Sequence, residues 1–98
     1  MKKIKLKMDP PTYNSVDVGV IDYLDDGRER LRLKVNVEFA KYDVEQLQKK
    51  GMSIDQAMDY YKDWLYNTVK VNLAQDWECT EGLEEVLAFI REMVARFY

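Results

Sequence analysis

Three aspartates, Asp55, Asp59 and Asp63, recur at every fourth residue and would share one face of a helix, a row of carboxylates that could attract a hard cation. A single row rarely completes an octahedral shell, and Lys62 lies among the three, so a solvated face is the simpler reading. The one thiol, Cys79, would need the positive start of a helix near Thr80-Glu81 to become a nucleophile, and Glu78 and Glu81 oppose a thiolate there. The chain has no histidine, so the usual proton shuttle and the commonest metal ligand are missing. No phosphate loop, dinucleotide fingerprint or zinc spacing occurs. The expectation is a non-enzymatic protein with no cofactor and no bound metal.

Two other groups carry chemistry of recognition. Arg30, Arg32 and Lys34 alternate with Leu31, Leu33 and Val35, which places three cations on one side of a strand. Tyr60-Tyr61-Lys62-Asp63-Trp64-Leu65-Tyr66 concentrates aromatic residues in one helical stretch. With Ile54, Ala57, Met58, Tyr61, Leu65 and Val69 turned inward, Tyr60, Trp64 and Val71 fall on a flank. Either that flank receives another helix, or it is exposed and binds a partner or a second copy of the chain, where Trp and Tyr are favoured anchors.

The elements that position these groups follow from periodicity. Residues 2–8 alternate Ile4, Leu6 and Met8 against Lys3, Lys5 and Lys7, and Asp9-Pro10-Pro11 ends the run. Residues 15–24 and 29–40 form a hairpin around Asp25-Asp26-Gly27-Arg28. Pairing positions that sum to 53 sets Val20 opposite Leu33, Val18 opposite Val35 and Val16 opposite Val37. A three-residue loop would face Val20 with Arg32 and is disfavoured. In that register the outer face presents Tyr23 beside Arg30, Ile21 beside Arg32, and Gly19 beside Lys34.

A short helix is expected from a box-like start at Asp43 and Gln46 to Gly51, and a long one from Ser53, with Gln56 three residues on, to about Asp76. A third begins near Thr80 or Glu81 and buries Leu83, Val86, Leu87, Ile90, Met93, Val94 and Phe97. Trp77 sits at the helix break as a lid on the core. The fold class is α+β: a three-stranded antiparallel sheet followed by a short helix and two longer helices packed on one sheet face, in the order βββααα.

Ninety-eight residues suit a single domain, residues 1–98. Hydrophobic residues make up 47% and charged residues 34%, a globular balance, and no apolar run approaches the ~20 residues of a membrane span. The basic start alternates with apolar residues and lacks a signal-peptide core, and the single cysteine fits a reducing compartment, so the cytoplasm is expected. The net charge of −3 is unevenly spread, with acids concentrated in the second half.

These features favour a small protein-interaction module that regulates or inhibits a larger protein, with Ile21, Tyr23, Arg30, Arg32 and Lys34 as one contact surface and Tyr60 and Trp64 as a second, the latter also serving a homodimer. Small acidic accessory proteins of phages and mobile elements, including inhibitors of host defence nucleases, are analogous in size and charge, although no motif ties the chain to them. The alternative is a nucleic-acid-binding domain that uses the basic outer face of the sheet.

Overall fold

The computed structural model describes residues 1–98. Its elements are β1 (Lys2–Met8), β2 (Ser15–Tyr23), β3 (Glu29–Glu38), α1 (Lys41–Lys49), α2 (Ile54–Leu73), β4 (Trp77–Glu81) and α3 (Leu83–Phe97). The sheet order is β3-β2-β1-β4. β1, β2 and β3 pair antiparallel as expected, but β4 adds a fourth strand parallel to β1, so the sheet is mixed and the order is βββααβα.

β4 corrects the expected βββααα. The stretch read as a helix break and the start of the third helix is held as a strand by long-range bonds. Lys2 N donates to Asp76 O at 2.9 Å and Thr80 Oγ1 donates to Ile4 O at 3.1 Å. Trp77 is buried, stacks on Tyr66 at 4.8 Å and donates its indole N–H to Tyr66 O, so it anchors the strand as well as covering the core. Gly82 then turns the chain into α3 with φ +93, and a Cβ there would lie 1.8 Å from Leu6 O. Only glycine fits that crossing over β1.

The hairpin follows the expected register over its lower half, from Val16↔Val37 to Val20↔Leu33. Above it the pairing shifts to Ile21↔Leu31, Asp22↔Arg30 and Tyr23↔Glu29. The pairs expected there, Tyr23 with Arg30 and Ile21 with Arg32, do not form. The tip is a three-residue loop, closed by Leu24 N to Arg28 O at 2.8 Å, with Gly27 at φ +86 in the left-handed position that such loops favour. Arg32 is the extra residue of a β-bulge that reconciles this tip with the valine register below. Leu31 is thereby turned to the outer face over Gly19, where an added Cβ would meet Leu31 Cδ1 at 3.2 Å.

α2 and α3 cover the inner face. The core joins Ile4, Val18, Val20 and Val37 from the sheet to Leu65, Val69, Ile90 and Val94 from the helices. Phe39 is its centre, fully buried against Tyr61 at 4.6 Å and Phe89 at 6.0 Å between ring centroids. The capping box at Ser53 forms as expected: Gln56 N donates to Ser53 Oγ at 3.2 Å and Ser53 N to Gln56 Oε1 at 2.9 Å. α1 instead starts at Lys41 without a side-chain cap. Gly51, at φ +78, ends it as expected, through Gly51 N to Gln48 O and Met52 N to Leu47 O.

Candidate functional site

The sequence-expected contact residues separate into three places. Ile21, Tyr23 and Lys34 lie on the outer sheet face, Arg30 and Arg32 reach the opposite side through the shifted register, and Tyr60 and Trp64 project from α2.

The outer face is mixed in sign rather than basic. Lys3, Lys5, Lys7 and Lys34 share it with Asp17, Glu29, Glu38, Glu78 and Glu81, as strand alternation and register require. Lys5 Nζ lies 3.1 Å from Glu29 and 3.6 Å from Glu81, and Lys34 Nζ lies 3.0 Å from Asp9. The hydrogen bonds that Lys5 donates to Glu29 and Lys34 to Asp9 hold both ammonium groups above the ordinary lysine range. Tyr23 is half-buried with its hydroxyl 3.3 Å from Thr80 Oγ1, and Ile21 is buried. Neither side chain is free to stack on a base.

Arg30 and Arg32 converge with Lys2 on Asp22. Asp22 is 0% exposed, the one charged residue in the buried set. Its position in β2 alternates with Ile21 and so points to the helix side of the sheet. Arg30 donates Nε to Oδ1 at 3.0 Å and Nη2 to Oδ2 at 2.9 Å, a bidentate pair, while Lys2 Nζ and Arg32 Nη1 approach Oδ2 at 3.1 and 3.4 Å. The Arg30 bonds outweigh burial and hold the Asp22 carboxyl down at about 2. Lys2 and Asp22 were not among the sequence-expected residues. The available signal was an acid at an even, inward-facing position inside the run Val18-Gly19-Val20-Ile21-Asp22, which demands buried partners.

The α2 flank leaves apolar side chains open, and Ile54, expected to face inward, is 40% exposed because it is the first residue of the helix, beyond the edge of the core. Tyr60 is 50%, Trp64 40% and Val71 77% exposed, and all three lie on one side of the helix. α3 leaves this flank uncovered because it packs against β1, β4 and the other side of α2, where Met58 and Lys62 share a groove with Leu87 and Arg91. Tyr60 and Trp64 form the shared wall of two grooves. One, of about 400 Å³, runs between Asn36–Glu38 on β3 and Asp43, Leu47 and Lys50 around α1. The other, of about 520 Å³, follows α2 past Asp63 and Asn67 to Val71. β3 is an edge strand, so its outer backbone groups adjoin the first groove unpaired by any neighbouring strand.

Tyr61 also lines the first groove. Its hydroxyl is buried without a hydrogen-bond partner, and burial, helped by the negative charge of Asp43, pushes it up to about 12. The groove's charged residues are Glu38, Asp43 and Lys50, with Asp63 in its continuation, giving an acidic rim to an aromatic wall.

Asp55, Asp59 and Asp63 are all exposed, and no group of three or more His, Cys, Asp or Glu side chains converges as metal ligands. Cys79 is half-buried and donates its thiol to Glu81 O at 3.0 Å. No helix is long and apolar enough to cross a membrane. Comparison with protein-family models, with curated proteins and with solved structures finds no match.

Proposed function

We propose that this chain is a non-enzymatic protein-binding module, a regulator of a larger protein, that engages its partner through the Tyr60–Trp64 flank of α2. The observation that carries this reading is the exposure of Tyr60, Trp64 and Val71 along one helix face beside an open strand edge. Burying such side chains against a partner is the usual source of binding energy in protein interfaces, where Trp and Tyr dominate the hot spots. Glu38, Asp43 and Asp63 at the rim favour a partner segment that flanks its apolar anchor with Lys or Arg. The outer sheet face supports a nucleic-acid reading less well, since Lys5 and Lys34 are already bonded to carboxylates.

The test is nuclease-treated affinity capture with wild type, Tyr60→Ala/Trp64→Ala and a sheet-face control, Lys3→Ala, followed by reconstitution with the purified partner. The expected result is one protein retained by wild type and by the control, lost by the double variant, and bound directly on reconstitution. Retention by the double variant, or recovery of nucleic acid alone, would overturn the reading. A concentration-dependent dimer in sedimentation, abolished by Trp64→Ala, would make the occupant a second copy of the chain.

A further inference from the structure

We propose that Lys2, Arg30 and Arg32 form a binding site for a phosphate-type oxyanion at the loop end of the β2–β3 hairpin. The site is independent of the α2 flank and sits towards the other end of β3 from the groove at Asn36–Glu38.

The charges around Asp22 do not balance. Arg30 alone satisfies both oxygens of Asp22 with two donors, yet Lys2 and Arg32 are also drawn to Oδ2. Three positive charges thus surround one negative charge, and none of the three has another carboxylate within ion-pair distance. The chain as a whole is acidic, and each cation that forms an ion pair elsewhere has a carboxylate of its own: Lys5 has two, while Arg28, Lys34, Lys41, Lys70 and Arg96 have one each. Asp22 is the one carboxylate in the chain on which more than one cation converges, and the convergence leaves a local excess of two positive charges.

Geometry turns the excess into a site. Asp22 is buried and fixes the guanidinium groups from beneath, while the Lys2, Arg30 and Arg32 side chains remain 28%, 45% and 38% exposed. Arg30 Nη1 and Arg32 Nε and Nη2 make no hydrogen bond within the protein, which leaves donors on two part-exposed guanidinium groups free for a ligand. Crowding three cations costs stability through mutual repulsion, and a polyvalent oxyanion relieves it while accepting the unused N–H groups. The bulge at Arg32 supplies the placement, since unbroken alternation would have sent Arg30 and Arg32 to the outer face.

The experiment is an NMR titration of the full chain with pyrophosphate at constant ionic strength, with sodium chloride as control and Arg32→Gln and Lys7→Gln in parallel. Arg32→Gln keeps the bidentate Arg30–Asp22 pair, so it folds, and a thermal midpoint no lower than wild type verifies this. Saturable shifts at the Arg30 and Arg32 Nε–H signals are expected, with affinity weakened about tenfold in Arg32→Gln and unchanged in Lys7→Gln. Equal shifts from chloride, or wild-type affinity in Arg32→Gln, would overturn the proposal. A short single-stranded oligonucleotide distinguishes the source. Tighter binding than pyrophosphate at the same arginines assigns the phosphate to a polynucleotide backbone, and weaker binding assigns it to a small phosphorylated molecule.

Discussion

The loop end of the hairpin and the flank of α2 invert the ordinary partition of side chains in opposite senses. At the first, a carboxylate is taken wholly out of water and surrounded by cations; at the second, a tryptophan, a tyrosine and a valine are left in water. The two departures differ in kind. The ion cluster is closed at its centre, because removing Asp22 or Arg30 leaves charges that the fold itself has brought together. The flank is open, because Tyr60 and Trp64 stay 50% and 40% exposed and their one aromatic pairing within the chain is that of Tyr60 with Tyr61, T-shaped with 5.4 Å between centroids. Hence substitution at the cluster should register first in stability, and substitution at the flank first in binding.

The widest separation is expected for Tyr60→Ala/Trp64→Ala. Two anchors at the centre of an interface are each worth about 2 kcal/mol or more, so the partner's Kd should rise at least about 100-fold. The thermal midpoint should move little, since exposed substitutions usually change stability by within about 0.5 kcal/mol. Titration calorimetry and scanning calorimetry on the same samples would check both halves. A large loss of midpoint would show that the flank is structural and erase the contrast.

The reverse pattern is expected for Asp22→Asn. It removes the only counter-charge from three converging cations, and the midpoint should fall by about 5–10 °C, moderated because water screens the half-exposed cations. Partner affinity should hold in protein kept well below that midpoint. Acid titration sharpens the point. The Asp22 carboxyl is ordinary near 3.8 when unfolded and about 2 when folded, so between those values the unfolded chain binds more protons and stability rises with pH. The cluster's contribution is complete above about pH 4 and lost as pH falls through about 2. Urea midpoints measured over this range should fall more steeply for wild type than for Asp22→Asn.

How much of this was legible in the sequence depends on which interactions set each element. The lower hairpin register was readable because Val16, Val18 and Val20 have one inward solution against Leu33, Val35 and Val37. The upper register was not, because the left-handed preference of Gly27 competes with the valine alternation and a bulge satisfies both. The same bulge takes Arg30 and Arg32 off the outer face, where plain alternation puts them, and gathers them at Asp22. β4 was illegible for another reason: its five residues carry only Trp77 and Cys79 on the inward parity, and the strand exists through bonds to β1 more than seventy residues away. The surplus of aromatics on α2 was evident, but whether α3 covered them was not. The added strand widens the sheet on the β1 side, α3 follows it there, and Tyr60 and Trp64 are left bare.

The smallest expected effect separates stability from binding on α2 itself. The helix closes at Ala74 with φ +56, through Ala74 N to Val71 O and Gln75 N to Lys70 O, the same pair of bonds that Gly51 makes at the end of α1. An alanine there carries left-handed strain of about 1 kcal/mol, part of which glycine returns as unfolded-state entropy. Nothing else depends on the alanine methyl, since the residue is exposed. Ala74→Gly should therefore raise stability by about 0.5 kcal/mol, read as a small increase in the urea midpoint at constant slope. Because Val71 lies one turn before this closure, a firmer helix end with unchanged partner affinity would show that binding depends on the side chains of the flank. An affinity that changed with Ala74→Gly would instead tie binding to fraying of the last turn and extend the contact surface beyond Val71.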